Sequence, residues 1–467
     1  MHKPHLIAWA LSAACALGAC AAPAIANVRL SQDASTRTVS VAYDIVGAPA
    51  VVTLDGITTN GAAVAEGDLL NVSGAVNRLV QAGADNVLRW QPPQAMGFGP
   101  FPPGAVGVSL KAWATNAPPD WMVVDLCVTN RVRYYASSNA VPGGLADVRY
   151  KTSYLVLRRI PAAGVTWRMG SPSTEAESSK YRASEHTRSV RLDEDYYLGL
   201  YPVTFRQFYY LNGNADYLQG DQFAAVGGSD DDWPVSGIQY VVLRSWMHDN
   251  RYGCTDNCGV HNNYWPRDGH AIDGANARKC LHTGGENAGA NLTYTPCLRT
   301  MRDKYGLSFD LPTDAQWEFA CRGGATAYES RYGELDDIAW FLFNSSNATH
   351  NCCVPHPVGL KKPNGYGLCD MTGNILELCL DFYADAENSG VAAVDPPGPT
   401  APINDRNARR VSRGGTFDSP AELCRSAARK GISCASVHND SFSGDTSGTL
   451  CKNSNGFRLW LPAHAEK

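Results

Sequence analysis

The chain has 467 residues, room for more than one domain, and carries 40 Lys and Arg against 45 Asp and Glu, a formal charge of −5. This near balance is spread evenly, which excludes a basic nucleic-acid surface and an acidic disordered tail. Its 44 Gly, 27 Pro, 11 Trp and 21 Tyr suit a turn-rich globule packed on aromatic rings more than a helical bundle.

The first segment reads as an address. A weakly cationic start, Met1 to His5, precedes an apolar run from Leu6 to Leu17. That run has the length of a signal h-region and is too short to span a bilayer. Two processing sites follow. Ala24 to Ala26 (AIA) is a small-x-small site that would leave Asn27 as the mature terminus. Leu17 to Cys20 (LGAC) resembles a bacterial lipobox, which would place a lipid anchor on Cys20. Pro23 and its small neighbours favour cleavage after Ala26, so residues 1–26 are expected to be a signal peptide. Both readings put the mature chain outside the cytoplasm, as a periplasmic or secreted protein or a lipoprotein. There are 15 cysteines; setting aside Cys15 and Cys20 leaves thirteen, an odd number, in a compartment that permits disulfides. No later segment is long and apolar enough for a membrane helix.

Residues 27–135 alternate with period two. Val39, Val41, Tyr43 and Ile45 share one face, as do Val106, Val108, Leu110 and Ala112. PAVVTLDG and WMVVDLCV are further apolar runs of strand length, separated by Gly-, Pro- and Asn-rich turns. This spacing predicts an all-β antiparallel sandwich, immunoglobulin- or fibronectin-like. The segment from Val28 to Val128 has no histidine and only scattered carboxylates, so a spacer or structural module is expected there. Residues 136–153 read as a connector.

From residue 154 to 467 short helices alternate with loops. Thr204 is a good N-cap for VTFRQFYYLN. In LPTDAQWEFACRGG, Thr313 and Gln316 form a capping box, and Gly323 and Gly324 supply the stop. Trp317 and Ala320 can share that helix's buried face, with Glu318 as a structural ion-pair partner. Residues 250–300 read as a polar insertion in the form of a long surface loop holding Cys254, Cys258, Cys280 and Cys297. With His261 and His282 these thiols could form a zinc knot, but the compartment favours disulfides that staple the loop. The adjacent Cys352 and Cys353 are expected to bond to distant partners.

No P-loop, three-glycine dinucleotide turn, nucleophile elbow or HExxH occurs. The most chemical stretch is GLCDMTGNILEL. Asp370 and Glu377 are hard oxygen donors on either side of a Gly373-Asn374 turn that aims carbonyls inward, a donor set suited to calcium. The plainer reading has Asp370 capping its own backbone. RGG at Arg413 to Gly415 reads as a tight turn where backbone packs closely.

Six segments then line up in order: IPAAGVTWRMGSP, EDYYLGLYPVTFRQF, LPTDAQWEFACRGG, VGLKKPNGYGLCDMTGNILELCLDFY, RVSRGGTFDSPAELCRSAAR and NGFRLW. Together they resemble the formylglycine-generating enzyme, or sulfatase-modifying factor, domain family from about Leu155 to Pro462. The resemblance implies an α+β, C-type-lectin-like domain with little regular secondary structure, stabilised by calcium. It maps one calcium site to the side chains of Asp370 and Glu377 and the carbonyls of Gly373 and Ile375. A second is expected near Ile338 to Asn347, without matched ligands.

Enzymes of that family use oxygen and copper to oxidise a sulfatase cysteine to formylglycine. Two cysteines after an RGGS-like turn hold Cu(I), which prefers soft thiolates. In this chain Thr416 takes the serine place, Ser419 stands at the first cysteine position, and Cys424 falls on the second. Cys424 is then half of a rebuilt copper site, a buried thiol or a disulfide end, and Leu423 and Ala427 beside it suggest packing. The leading expectation is a calcium-stabilised binding or accessory module, recognising a protein or glycan in the envelope or outside the cell, without the usual copper site. The alternative is a metal-dependent oxidase, formylglycine-generating or acting on another substrate through a rearranged thiol site. A structural envelope protein is the third.

Overall fold

Alternation builds the N-terminal strands. Val39, Val41, Tyr43 and Ile45 are buried while the residues between them are partly exposed, the signature of a strand with one face on a core. A computed structural model describes residues 22–64, 72–97, 99–128, 132–175, 185–212, 231–238, 240–244, 297–325, 329–347, 352–384, 393–396, 409–433 and 454–464. In chain order the first strands are β1 (Ala24–Gln32), β2 (Val39–Val46), β3 (Ala50–Thr59), β4 (Ala62–Ala63), β5 (Val72–Gly74), β6 (Arg78–Val80), β7 (Gly83–Trp90) and β8 (Val106–Ala114). One sheet runs β1-β2-β7-β5; the other runs β4-β3-β6, with β8 also on β3. All their pairings are antiparallel. Between the sheets lie Val41, Tyr43, Val52, Leu88 and Trp90, the two rings wholly buried.

The run WMVVDLCV departs from its expected place. Its strand β9 (Trp121–Asp125), with β10 (Val132–Tyr135), joins β11 (Tyr154–Ile160), β14 (Tyr196–Gly199) and β22 (Trp460–Pro462) in a sheet ordered β10-β9-β11-β14-β22. Every residue of β9 is buried, because both of its faces are covered. The sandwich also docks on this sheet's core. Val51 of β3 packs with Met122, Tyr134 and Leu157, and the Tyr134 N–H donates to the Asn77 carbonyl at 2.9 Å.

The remainder is mostly sheet with few, short helices. β12 (Val165–Met169) pairs β13 (Arg188–Leu192), which pairs β18 (Ala393–Val394). β15 (Ser346–Asn347) pairs β16 (Cys352–Cys353). A four-stranded sheet runs β20 (Arg429–Ser433), β19 (Arg409–Arg413), β17 (Leu376–Phe382) and β21 (Asn455–Gly456). The helix Asp314–Cys321 carries the capping box, with the Thr313 hydroxyl accepting from the Gln316 N–H and the Gln316 side chain accepting from the Thr313 N–H. All eight of its residues are buried, so the helix lies inside the domain. The cysteines at 254, 258 and 280, with His261 and His282, lie outside the described residues. Cys297 does not belong to a surface loop: it opens the helix Cys297–Tyr305 as a buried free thiol. Among the described residues no helix is long and apolar enough to cross a membrane.

Thr313→Ala would orphan a donor at the start of this buried helix. It should lower unfolding stability by about 1 kcal/mol, read as a shifted urea midpoint with unchanged slope.

Candidate functional site

Four segments converge at the C-terminal end of the domain: the Asp314–Cys321 helix, the loop from Asn364 to Ile375 with β17, the RGG turn after β19, and β21 with the NGFRLW segment. β21 runs parallel to the start of β17, pairing Leu376 with Asn455 and Glu377 with Gly456. That register carries Arg458 into the interior, where its guanidinium is fully buried. Arg458 donates to the carbonyls of Gly199 (2.7 Å), Leu200 (2.8 Å) and Cys369 (2.7 Å) and to Glu377 Oε1 (2.8 Å) and Oε2 (3.0 Å). Trp317 Nε1 donates to Glu377 Oε2 at 2.6 Å. All five Arg458 donors are thereby satisfied, which a buried guanidinium requires.

A second ionic cluster lies across β17. Arg413 Nε donates to Asp314 Oδ1 at 2.6 Å, and its terminal nitrogen lies 2.9 Å from Glu318 Oε2. Arg429 lies 2.9 Å from Asp314 Oδ2, and Arg322 pairs with Glu318. Glu318 also accepts the Gly170 N–H at 2.9 Å. Burial raises the Asp314 carboxyl, but Arg413, Arg429 and Arg188 outweigh it and hold the group down at about 2. The Arg413 of RGG is thus a structural cation.

The Asp370 loop curls through left-handed residues: Asp370 at φ 54°, Gly373 at 73° and Asn374 at 62°. A Cβ on Gly373 would lie 2.2 Å from the Trp340 carbonyl oxygen, so only glycine fits under that chain. The Asn374 side chain clamps another backbone, accepting from the His356 N–H at 2.9 Å and donating to the His356 carbonyl at 3.0 Å. Asp370 is buried and accepts the Gly359 N–H at 2.6 Å. Burial pushes its carboxyl up to about 6, and the Glu377 charge adds to that while Gly359 and Arg458 oppose it. The loop carries Asp370 and the carbonyls of Gly373 and Ile375, and Glu377 follows at the start of β17. These donors fit a hard cation. A buried carboxyl raised by desolvation is what such a cation would relieve at Asp370, whereas both oxygens of Glu377 already accept from Arg458, and Oε2 also from Trp317. Among the described residues no three His, Cys, Asp or Glu side chains gather, so a cation here must draw on carbonyls.

The RGG turn places the other candidates. Gly414 and Gly415 sit at φ 97° and 76°. A Cβ on Gly415 would come within 2.9 Å of Cys424 Sγ, so the sulfur lies directly against the turn, fully buried among Ile338, Ala339 and Phe341. Thr416 and Ser419 face each other with hydroxyls 2.7 Å apart; the Thr416 N–H donates to Ser419 Oγ at 2.9 Å, and its hydroxyl donates to Asp418. Ser419 thus closes a hydroxyl-bonded turn. These hard oxygens do not fit Cu(I). Cys434 and Cys451 lie outside the described residues. Burial pushes the thiols of Cys321 and Cys369 up to about 12, so neither is a thiolate at neutral pH.

Sequence reasoning missed the aromatic wall beside this turn. His356 stacks on Trp340 at 3.8 Å between ring centroids, with Trp233 stacked beyond at 6.3 Å. The Leu342 N–H donates to the Ser419 carbonyl at 3.1 Å, and next to it Phe343 is 78% exposed. The aromatic run IAWFLF was the available signal, but its stacking partner lies sixteen residues from Trp340.

Arg458→Ala should cost about 3–5 kcal/mol by stranding Glu377 in the interior, read as loss of the folded chain or a large drop in denaturation midpoint. Asp314 ionises more readily folded than unfolded, where its value is near 3.8. Its contribution, about 2 kcal/mol, is complete above pH 4 and is lost as pH falls towards 2; in Asp314→Asn that part of the acid transition should vanish.

A family model described as sulfatase-modifying factor enzyme 1-like domain matches residues 158–441. The formylglycine-generating enzyme of Streptomyces coelicolor is 34% identical over 131 residues, 26% of this chain and 40% of that protein. The chaperone protein LppX of Paenibacillus barcinonensis is 24% identical over 221 residues, 44% of this chain and 69% of that one. Among solved structures, Treponema denticola variable protein 1 superposes with a TM-score of 0.40 at 22% identity, covering 66% of this chain and 95% of that one. The chain spans less than half the length of the curated relatives it matches at 29–34% identity. With this match over residues 158–441, the chain belongs to the sulfatase-modifying factor enzyme 1-like domain family.

Proposed function

We propose that the protein is an extracytoplasmic binding or accessory module, its family domain C-type-lectin-like and stabilised by calcium, recognising a protein or glycan. The observation that carries this reading is Ser419. At the place where the family's copper enzymes have their first cysteine stands a buried hydroxyl already bonded to Thr416. A hydroxyl is a poor Cu(I) ligand, so the two-sulfur clamp is not formed by Ser419 and Cys424. The exposed Phe343 and the aromatic wall offer a recognition face instead. The relative named a chaperone, matched over 69% of its length, is in keeping with an accessory role.

The rival reading is an oxidase. It is favoured by one feature, the Cys424 sulfur against Gly415, and by the formylglycine-generating relatives. The purified chain, loaded with Cu(I) and given a Cys-x-Pro-x-Arg peptide, should form no aldehyde detectable by mass. Aldehyde that disappears in Cys424→Ser would establish the oxidase and sink the accessory reading.

In this proposal calcium is held by Asp370 and the carbonyls of Gly373 and Ile375, while Glu377 is taken up by Arg458 and Trp317. It supplies positive charge to a buried acidic loop and takes no part in chemistry. Removing it with EGTA should lower Tm, and calcium at about 100-fold its Kd should restore about 2.7 kcal/mol. Asp370→Ala should abolish that response; an unchanged Tm in EGTA would remove calcium from the account.

A further inference from the structure

Where the sandwich meets the central sheet, the chain leaves a polar cavity. On β3 the side chains of Val52 and Leu54 enter the sandwich core, while Val51 turns out onto the core of the central sheet. Thr53 and Asp55 follow Val51 on that outer side, as strand alternation requires. On β10, Arg133 and Tyr135 share the face opposite Tyr134. The cavity between these strands has a volume of about 140 Å³, and its polar lining is Asp55, Ser73, Asn77, Arg133, Tyr135 and Ser137.

Three of these side chains are aimed by the backbone and keep bonding capacity. Asp55 is the extra residue of a β-bulge: Leu54 pairs with Leu110 and Gly56 with Ser109, which leaves Asp55 without a partner on β8. A bulge re-aims the side chain it carries. The Asp55 carboxylate is exposed and accepts at 3.3 Å from the Thr53 hydroxyl, itself held by the Trp113 indole N–H at 2.8 Å. Among the described residues it has no ion-pair partner. Asn77 sits at φ 54° and its Oδ1 accepts the Leu54 N–H at 3.3 Å, which leaves both amide N–H groups as donors. Tyr135 is only 9% exposed, its ring packed with Trp121, Val123 and Tyr150, yet among the described residues no hydrogen bond reaches its hydroxyl. A tyrosine this buried ordinarily finds a partner. Burial pushes its hydroxyl up to about 12, so it stays protonated and able to donate.

The lining selects the ligand. Asp55 disfavours an anion and Arg133 a cation, so the cavity suits a molecule without net charge. Six polar groups, of which only two are charged, match neutral hydroxyls that each donate and accept. Val72 and Pro142 add apolar wall for C–H faces. A cavity of this volume admits one six-membered ring. Asp55, Ser73 and Ser137 are exposed, so the cavity opens to solvent on their side.

We propose that this cavity binds one pyranose ring of a neutral carbohydrate, either a free sugar or the end unit of a glycan. The Asp55 carboxylate accepts from ring hydroxyls, and the Asn77 amide and Tyr135 hydroxyl donate to neighbouring oxygens. Because the walls come from β3, β5, β10 and the segment after β10, a bound ring bridges the sandwich and the central sheet. The site shares no residue with the RGG turn or the aromatic wall, and it stands whether or not the family domain is an accessory module.

The test titrates the full chain by calorimetry with glucose, galactose and mannose, using glycine and inorganic phosphate as charged controls. At least one sugar should bind saturably, one per chain, and the controls should not. Tyr135→Phe should weaken that binding about 5-fold and Asp55→Asn about 10-fold or more. Both variants should keep the wild-type Tm, since the hydroxyl removed in one and the charge removed in the other hold nothing together within the fold. The methyl glycoside of the bound sugar separates the two sources: undiminished binding identifies the end unit of a glycan, and lost binding identifies a free sugar. No saturable sugar binding, binding of glycine or phosphate in its place, or a Tyr135→Phe chain that binds as tightly as the wild type would each overturn the proposal. A lowered Tm in Tyr135→Phe would show that the hydroxyl is spent inside the fold and would overturn it as well.

Discussion

The buried pair of Arg458 and Glu377 holds the domain together where regular structure is scarce. An arginine with no exposure is tolerated only when each N–H finds an acceptor, and here the acceptors come from three separate stretches of chain. The carbonyls of Gly199 and Leu200 close the central sheet, Cys369 brings in the acidic loop, and Glu377 brings in β17. Through Glu377 the indole of Trp317 ties in the capped helix. Removing either charge leaves the other in an interior that cannot solvate it, so the pair sets the relative placement of these segments as much as it adds stability.

The neighbouring cluster repeats the logic. Asp314 opens the helix and faces three guanidiniums, while Glu318, one turn later, takes Arg322 and Arg413. Arg413 is thereby fixed, and the glycines that follow it turn the chain over Cys424. The same rigidity shapes the acidic loop, where Gly373 has no room for a side chain beneath Trp340 and Asn374 substitutes for a strand partner on His356. The backbone around Asp370 is therefore fixed by close packing and hydrogen bonds. The hydroxyls of Thr416 and Ser419 are likewise committed to each other.

The sandwich is not a loosely tethered spacer. Val51 and Trp113 pack against the core of the central sheet, and the strands β9 and β10 that follow the sandwich belong to that sheet.

Much of this was written in local pattern. Alternation at Val39 to Ile45 specified a one-faced strand, Thr313 and Gln316 specified the helix start, and the order of the motifs specified the family. The substitution of a hydroxyl residue at position 419 was also plain in the sequence. What local pattern leaves undetermined is partnership. The run at Trp121 is apolar on both faces, so it suits a sandwich strand and a central strand equally, and its assignment waited on β11. Glu377 reads as a free cation ligand until Arg458, eighty-one residues later, is folded against it. Residue type and spacing determine the chemistry a side chain can offer, while contacts between distant segments determine whether that chemistry is already spent.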